Sequence, residues 1–156
     1  MSEPRSEIFA LDDVDKAIIR ELQVDGRMAY AQLSPKVGLS QAAVRQRVNR
    51  LLERGVFQIV AVSDPLSLGL TTQAMVGITV TGDVRGVAAA VAAMGESEYV
   101  LITAGRYDVL AELLCTDNDA LLELVNDRIR VIDGVAATEV FSILKMEKLT
   151  FSWGTG

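Results

Sequence analysis

Two hydrophobic periods divide the chain. Up to about residue 55, apolar residues recur every three or four positions, as helices require. Beyond it, β-branched runs alternate with helical stretches. Val14, Ile18 and Leu22 recur at spacing four and predict a first helix with one buried stripe. Asp12 is placed to cap it, with Asp13 and Asp15 in the first turn, where carboxylates favour the positive end of the helix dipole. Asp25-Gly26 ends it. A second, shorter helix is predicted over 30–37, with Leu33 and Val37 facing inward and Gly38 supplying the positive φ of a tight turn. Two features weaken it: Pro35 deletes the amide bond toward Ala31, and Ala29 offers no capping side chain. Ser40 then caps a third helix over 41–54, with Val44, Val48 and Leu51 on one face and Gly55 just past its end.

After Gly55 the apolar run 56–62 reads as a strand, followed by Ser63-Asp64-Pro65 as a turn and hinge. The remainder predicts a strand over 73–81, a helix opened by Gly82-Asp83 and running to Met94, and a strand over 98–104. Gly105-Arg106 turns the chain into a strand over 107–115. A helix capped by Asp117 or Asn118 and a strand over 135–149 follow. The order β-α-β-β-α-β is the ferredoxin-like arrangement of two helices on one antiparallel sheet. The fold class expected is therefore α+β. A winged-type helix-turn-helix domain (11–55) is joined by a strand and hinge (56–70) to a ferredoxin-like domain (71–150), with short tails at 1–10 and 151–156. Within the second tail, Phe151 and Trp153 offer an inter-dimer contact at most. The sheet strands carry apolar residues on both faces (Met75, Val76, Ile78; Leu110, Leu113, Leu114; Val140, Phe141), and two helices cover only one face. A second subunit is the simplest cover for the other, so at least a homodimer is expected.

Composition removes most chemistry. The chain has no histidine, which excludes a Ser-His-Asp triad, a Cys-His dyad and His-ligated zinc. Its single cysteine, Cys115, excludes an intrachain disulfide and a Cys-x-x-Cys site. There is no Gly-rich phosphate loop, paired-carboxylate motif or metal-ligand cluster, so neither an enzyme nor a cofactor or metal is expected. No window is apolar enough to span a membrane and no secretion signal is evident, which places the protein in the cytoplasm.

The net charge of −6 argues at first against nucleic acid, but it is unevenly spread. Up to Val62 the chain carries +1, and from Ser63 onward −7. Between Arg27 and Arg54 six bases face one acid, Glu53. The third helix holds the centre of that basic stretch. On the side away from its apolar face lie Ala42, Arg45, Gln46 and Asn49, preceded by Ser40 and Gln41. Arg can bond bidentately to guanine, Gln or Asn to adenine, and alanine can meet a thymine methyl. Arg47, Arg50 and Arg54 flank this face and are placed for phosphates. Short helix, glycine turn and Ser-capped helix form the helix-turn-helix pattern, against which stands an ordinary helical hairpin in a bundle.

These strings match a known family. Leu11-Asp12 with Asp15, Leu22-Gln23 with Asp25-Gly26-Arg27, Val37-Gly38-Leu39-Ser40, Arg47-Val48 with Arg50-Leu51, Gly55-Val56, and later Gly105 with Tyr107-Asp108 resemble the Lrp/AsnC (feast/famine) transcriptional regulators from Leu11 to about Leu149. Pro35 and Ala29 depart from the family pattern, where an ordinary helix former and often a serine stand. The resemblance implies binding to operator DNA and a C-terminal domain that forms dimers, often octamers, and binds a small effector, commonly an amino acid, at a subunit interface. Carried over by position, that site is Thr103, Ala104, Gly105, Arg106, Tyr107 and Asp108, with Thr138 and Glu139 from a neighbouring subunit. Asp108 would take an ammonium and Arg106 a carboxylate. The plainer alternative is a hairpin turn that Asp108 closes, with no ligand. A metabolic sensor acting through protein contacts, without DNA, is the competing function.

Overall fold

A computed structural model describes residues 10–150. The described residues divide into two units, 10–62 with 149–150, and 63–148. Residues 1–9 and 151–156, with Phe151 and Trp153 among them, lie outside the described residues.

The first unit contains α1 (Asp13–Val24), α2 (Tyr30–Val37) and α3 (Gln41–Glu53). Asp12 caps α1 by accepting the Asp15 amide at 2.7 Å, and Ser40 caps α3 by accepting the Ala43 amide at 3.2 Å. Ile18, Ile19 and Leu22 from α1 pack with Leu33 from α2 and with Val44, Val48 and Leu51 from α3 in one core. Gly38 (φ 68°) and Gly55 (φ 65°) take the left-handed conformation required after α2 and α3. Gly26 does not; α1 ends because Asp25 turns to an extended conformation.

Helix α2 persists across Pro35 and without a side-chain cap at Ala29. The Ser34 hydroxyl donates to the Ala31 carbonyl at 3.5 Å, a weak replacement for the amide that Pro35 lacks. Burial of Leu33 and Ser34 supplies the rest, packing prevailing over propensity.

No strand forms over 56–62, and no wing follows α3. These residues have the composition of a strand but, among the described residues, no partner strand to bond; Ile59, Val60 and Val62 stand exposed.

The second unit opens with a 3-10 turn (Leu66–Leu68) and continues β1 (Thr72–Val80), α4 (Val84–Ala92), β2 (Ser97–Ile102), β3 (Val109–Cys115), α5 (Asn118–Glu123) and β4 (Val135–Ser142). Helix α5 runs on in π-helical form over Leu124–Ile129. The strands form one antiparallel sheet in the order β2-β3-β1-β4, the ferredoxin-like topology. Its covered face, with Ala74, Val76, Ile78, Val109, Ala111 and Leu113, packs against Val87 and Val91 of α4 and against Leu121, Leu124, Val125 and Ile129. Strand β4 stops well short of 149. The Ile143 amide bonds the Gln73 carbonyl at 2.9 Å, next to the first residue of β1, so further residues have no ladder to join. Met75, Leu110, Leu114 and Phe141 lie on the other face, under no helix of the unit.

Candidate functional site

In the first unit the exposed surface of α3 is built by its own periodicity. With Val44, Val48 and Leu51 buried, Gln41, Ala42, Arg45, Gln46 and Asn49 are carried outward and are exposed. Together with Tyr30, the first residue of α2, they line one shallow concavity. Five of these six are residues the sequence marks for DNA, four of them for base edges. Ser40 is engaged as the cap, which fixes where the helix begins.

Arg47 and Arg50 are placed differently. Asp15 of α1 is 1% exposed, and both guanidiniums close on it. Arg47 Nη1 donates to Asp15 Oδ1 at 2.8 Å and to Asp12 Oδ2 at 2.6 Å, while Arg50 Nη2 donates to both Asp15 oxygens at 3.0 Å. Arginines expected to face phosphates thus fasten α3 to α1. The physical reason is that a buried carboxylate must be paired, and these are the cations its neighbouring helix offers. Arg47 holds the Asp12 carboxyl below the usual carboxylate range, aided by the Asp15 amide. Asp12, followed by Asp15, raises the Arg47 guanidinium in return. Lys36 of α2 pairs with Glu21 of α1 at 2.5 Å. Arg54, the last of the expected phosphate contacts, is exposed at the end of α3.

The role of Asp15 was open to detection in the pattern. Positions 15, 18, 19 and 22 share the buried face of α1, so the carboxylate occupies a core position.

In the second unit, Thr103 to Asp108 form the connection between β2 and β3. Asp108 closes it: its amide donates to the Ile78 carbonyl at 3.0 Å, its carbonyl accepts the Thr103 amide at 2.9 Å, and its carboxylate accepts the Val80 amide at 2.8 Å. That last bond falls where the β1–β4 register shifts, between Thr79 and Val80. The Asp108 carboxylate is therefore engaged within the fold, as the plainer alternative required. The Thr103 hydroxyl donates to the Tyr107 carbonyl at 2.5 Å, and Ala104 and Gly105 are exposed at the tip.

Tyr107 lies across the open face of the sheet. Its ring meets Phe141 edge-on at 6.0 Å, its hydroxyl donates to Glu139, and the Arg106 guanidinium stands 5.5 Å from the ring centre and 3.4 Å from the Glu139 carboxylate. The bond to Glu139, with some burial, raises the Tyr107 hydroxyl above its ordinary pKa. Gly77 makes this possible, because a Cβ there would stand 2.7 Å from the ring. A glycine inside an apolar strand was the available signal. Gly105, the glycine expected to admit close approach, has neither a positive φ nor a neighbour within 4 Å of the position a Cβ would take.

Within this unit the structure brings Arg106, Tyr107 and Glu139 together and leaves Thr138 apart. Thr138 pairs with Ile78 on the covered face, where Arg130 Nε donates to its hydroxyl at 2.7 Å; Glu139 pairs with Gly77 on the other. Adjacent strand residues point to opposite faces, so one protomer cannot present both to one site.

A second concavity is lined by Leu70, Leu114, Cys115, Leu124 and the Glu96–Arg128 ion pair. Burial pushes the Cys115 thiol up, which marks it as an inert apolar group. Among the described residues, no group of three or more acidic or cysteine side chains is arranged to hold a metal, and no helix is long and apolar enough to cross a membrane.

Two family models match the chain: the AsnC-type helix-turn-helix domain over residues 11–52 and the Lrp/AsnC ligand binding domain over 73–153. The HTH-type transcriptional regulator FL11 of Pyrococcus furiosus is 33% identical, over 90% of this chain and 93% of its own. A transcriptional regulator of Neisseria meningitidis, solved in complex with L-methionine, superposes with a TM-score of 0.84 at 30% identity, covering 92% of this chain and 96% of its own. The leucine response regulatory protein of Mycobacterium tuberculosis superposes with a TM-score of 0.82 at 31% identity, covering 92% and 99%.

Proposed function

Because the chain belongs to the Lrp/AsnC family of transcriptional regulators, we propose that α3 reads operator DNA through Gln41, Ala42, Arg45, Gln46 and Asn49. The observation that carries this is the alignment of those five side chains, exposed together on one face of a helix whose opposite face is locked in the core. Arg45 has the donors for a guanine, and Gln46 or Asn49 for an adenine. Arg54, exposed at the end of the helix, is placed for a phosphate, whereas Arg47 and Arg50 act chiefly by orienting the helix. Full-length protein and a duplex selected from a random library test this reading. Arg45→Ala and Gln46→Ala should each lower discrimination by about 1–3 kcal/mol, the value of one bidentate pair with a base. Wild-type discrimination by both variants would remove α3 from the interface.

The working form is a cytoplasmic homo-oligomer, assembled through the sheet face that no helix covers, as Met75, Leu110, Leu114 and Phe141 favour. An octamer is the higher form we favour. Regulation is by a small effector bound at a subunit interface beside the 103–108 turn. Arg106 and Glu139 form an ion pair that an amino acid can exchange for its own carboxylate and ammonium. The Neisseria meningitidis relative solved with L-methionine supports an amino acid in that role. Binding would favour one arrangement of subunits and so alter how paired α3 helices match two half-sites. A thermal-shift screen of the twenty amino acids tests the effector. One present at about 100 times its Kd should add roughly 2.7 kcal/mol, and a flat screen would leave DNA binding without this control.

A further inference from the structure

The concavity on the first unit is bounded on one side by Tyr30, which belongs to α2 rather than to the reading helix. Tyr30 is half-buried and packs against the core of the first unit, which holds it in place, and it also lines the concavity. Ala42, on the first turn of α3, lines the same concavity and has the shortest side chain there. Ring and methyl are its two apolar members; Gln41, Arg45, Gln46 and Asn49 supply donors and acceptors. The one apolar group a base pair presents in the major groove is the C5-methyl of thymine, and the adenine of the same pair presents the N6 and N7 that Gln or Asn can bond.

We propose that Tyr30 and Ala42 together receive the C5-methyl of one thymine in the operator, so that Tyr30 is a specificity residue contributed from outside the reading helix. This rests on α3 entering the major groove as argued above. The ring acts through its face and edge, not its hydroxyl. Phenylalanine should therefore serve as well, and a longer polar side chain at position 42 should close the space the methyl needs.

The test uses the full-length chain and a duplex selected from a random library, in which each thymine is replaced in turn by deoxyuridine. That change removes the methyl and leaves the pairing. One replacement should weaken wild-type binding about fourfold, the value of one buried methyl-sized group. Tyr30→Phe should keep that thymine-to-deoxyuridine ratio, whereas Tyr30→Ala and Ala42→Gln should bring it to one. Ala42 is exposed, so its variant serves even where loss of the Tyr30 ring weakens the core. The proposal is overturned if no replacement affects the wild type, or if Ala42→Gln keeps the full ratio. It is equally overturned if Tyr30→Phe loses the ratio, which would assign the effect to the hydroxyl. A different failure marks the parent reading: no salt-sensitive binding of any selected duplex by the wild type.

Discussion

In the first unit, the side chains proposed to meet DNA, Tyr30 apart, extend from a single helix whose other face is fixed in the core. In the second, those proposed to meet an effector fold back onto their own sheet, where Tyr107 covers Gly77 and Arg106 pairs with Glu139. The contrast is between a preformed surface and an occupied one. DNA meeting α3 has no intramolecular bond of Arg45, Gln46 or Asn49 with α1 or α2 to break among the described residues, and the ion pairs that do exist there, on Asp15, hold the helix in place. An amino acid meeting the 103–108 turn must displace an ion pair. Displacement couples binding to a change of conformation, as a ligand-controlled element requires.

The largest effect should come from breaking the fastening of α3. Replacing both Arg47 and Arg50 by alanine strands the Asp15 carboxylate in the core without cations, at a cost of about 3–5 kcal/mol. Urea or thermal unfolding measures it. Adding Asp15→Ala to the double variant should restore part of the loss, since no charge is then stranded; the three effects should be far from additive. A double variant that unfolds like the wild type, yet binds DNA with a flatter salt dependence, would return both arginines to the phosphate backbone.

Next in size is the device that holds the 103–108 turn closed. Gly77→Ala puts a methyl 2.7 Å from the Tyr107 ring and must push it off the sheet, which should cost about 1–3 kcal/mol. Gly105→Ala, at a position with open space and an ordinary φ, should change stability by no more than about 0.5 kcal/mol. Thermal unfolding of the two variants compares them directly. Equal effects would mean that the ring does not rest on Gly77.

The same contrast explains what was legible in the sequence. Helices α1, α2 and α3 and their caps follow from local signals: a 3.6-residue period, Asp12 and Ser40 before it, Gly38 and Gly55 after it. The β-α-β-β-α-β order is equally local in origin. What periodicity does not carry is pairing. Residues 56–62 and 144–149 have strand composition, but a strand exists only where a neighbour offers hydrogen bonds, and neither segment has one among the described residues. Charges are subject to the same limit. In the sequence Arg47 and Arg50 look available, because Asp12 and Asp15, over thirty residues away in the chain, stand there simply as acids at the start of a helix. Thr138 and Glu139 look like one patch because they are adjacent, yet strand geometry sends them to opposite faces.

The smallest effect discriminates the two ion pairs most finely. Arg47 draws the Asp12 carboxyl below its ordinary value, and Arg128 does the same to Glu96 in the other unit. A carboxyl whose pKa is lower folded than unfolded binds fewer protons in the folded state near that pKa. Its contribution to stability is thus fully present above the ordinary carboxylate range, near pH 4–5, and is lost as pH falls through the lowered folded value. Both units should lose stability in that acid window. Because both side chains are partly exposed, each contribution is screened, and salt should diminish it. NMR titration of the carboxyl carbons separates them. In Arg47→Ala the Asp12 midpoint should rise toward its ordinary value while Glu96 stays depressed, and in Arg128→Ala the reverse should hold. An Asp12 midpoint that stays low without Arg47 would assign its depression to the Asp15 amide alone. The fastening of α3 would then rest on Asp15 rather than on the Asp12–Asp15 pair.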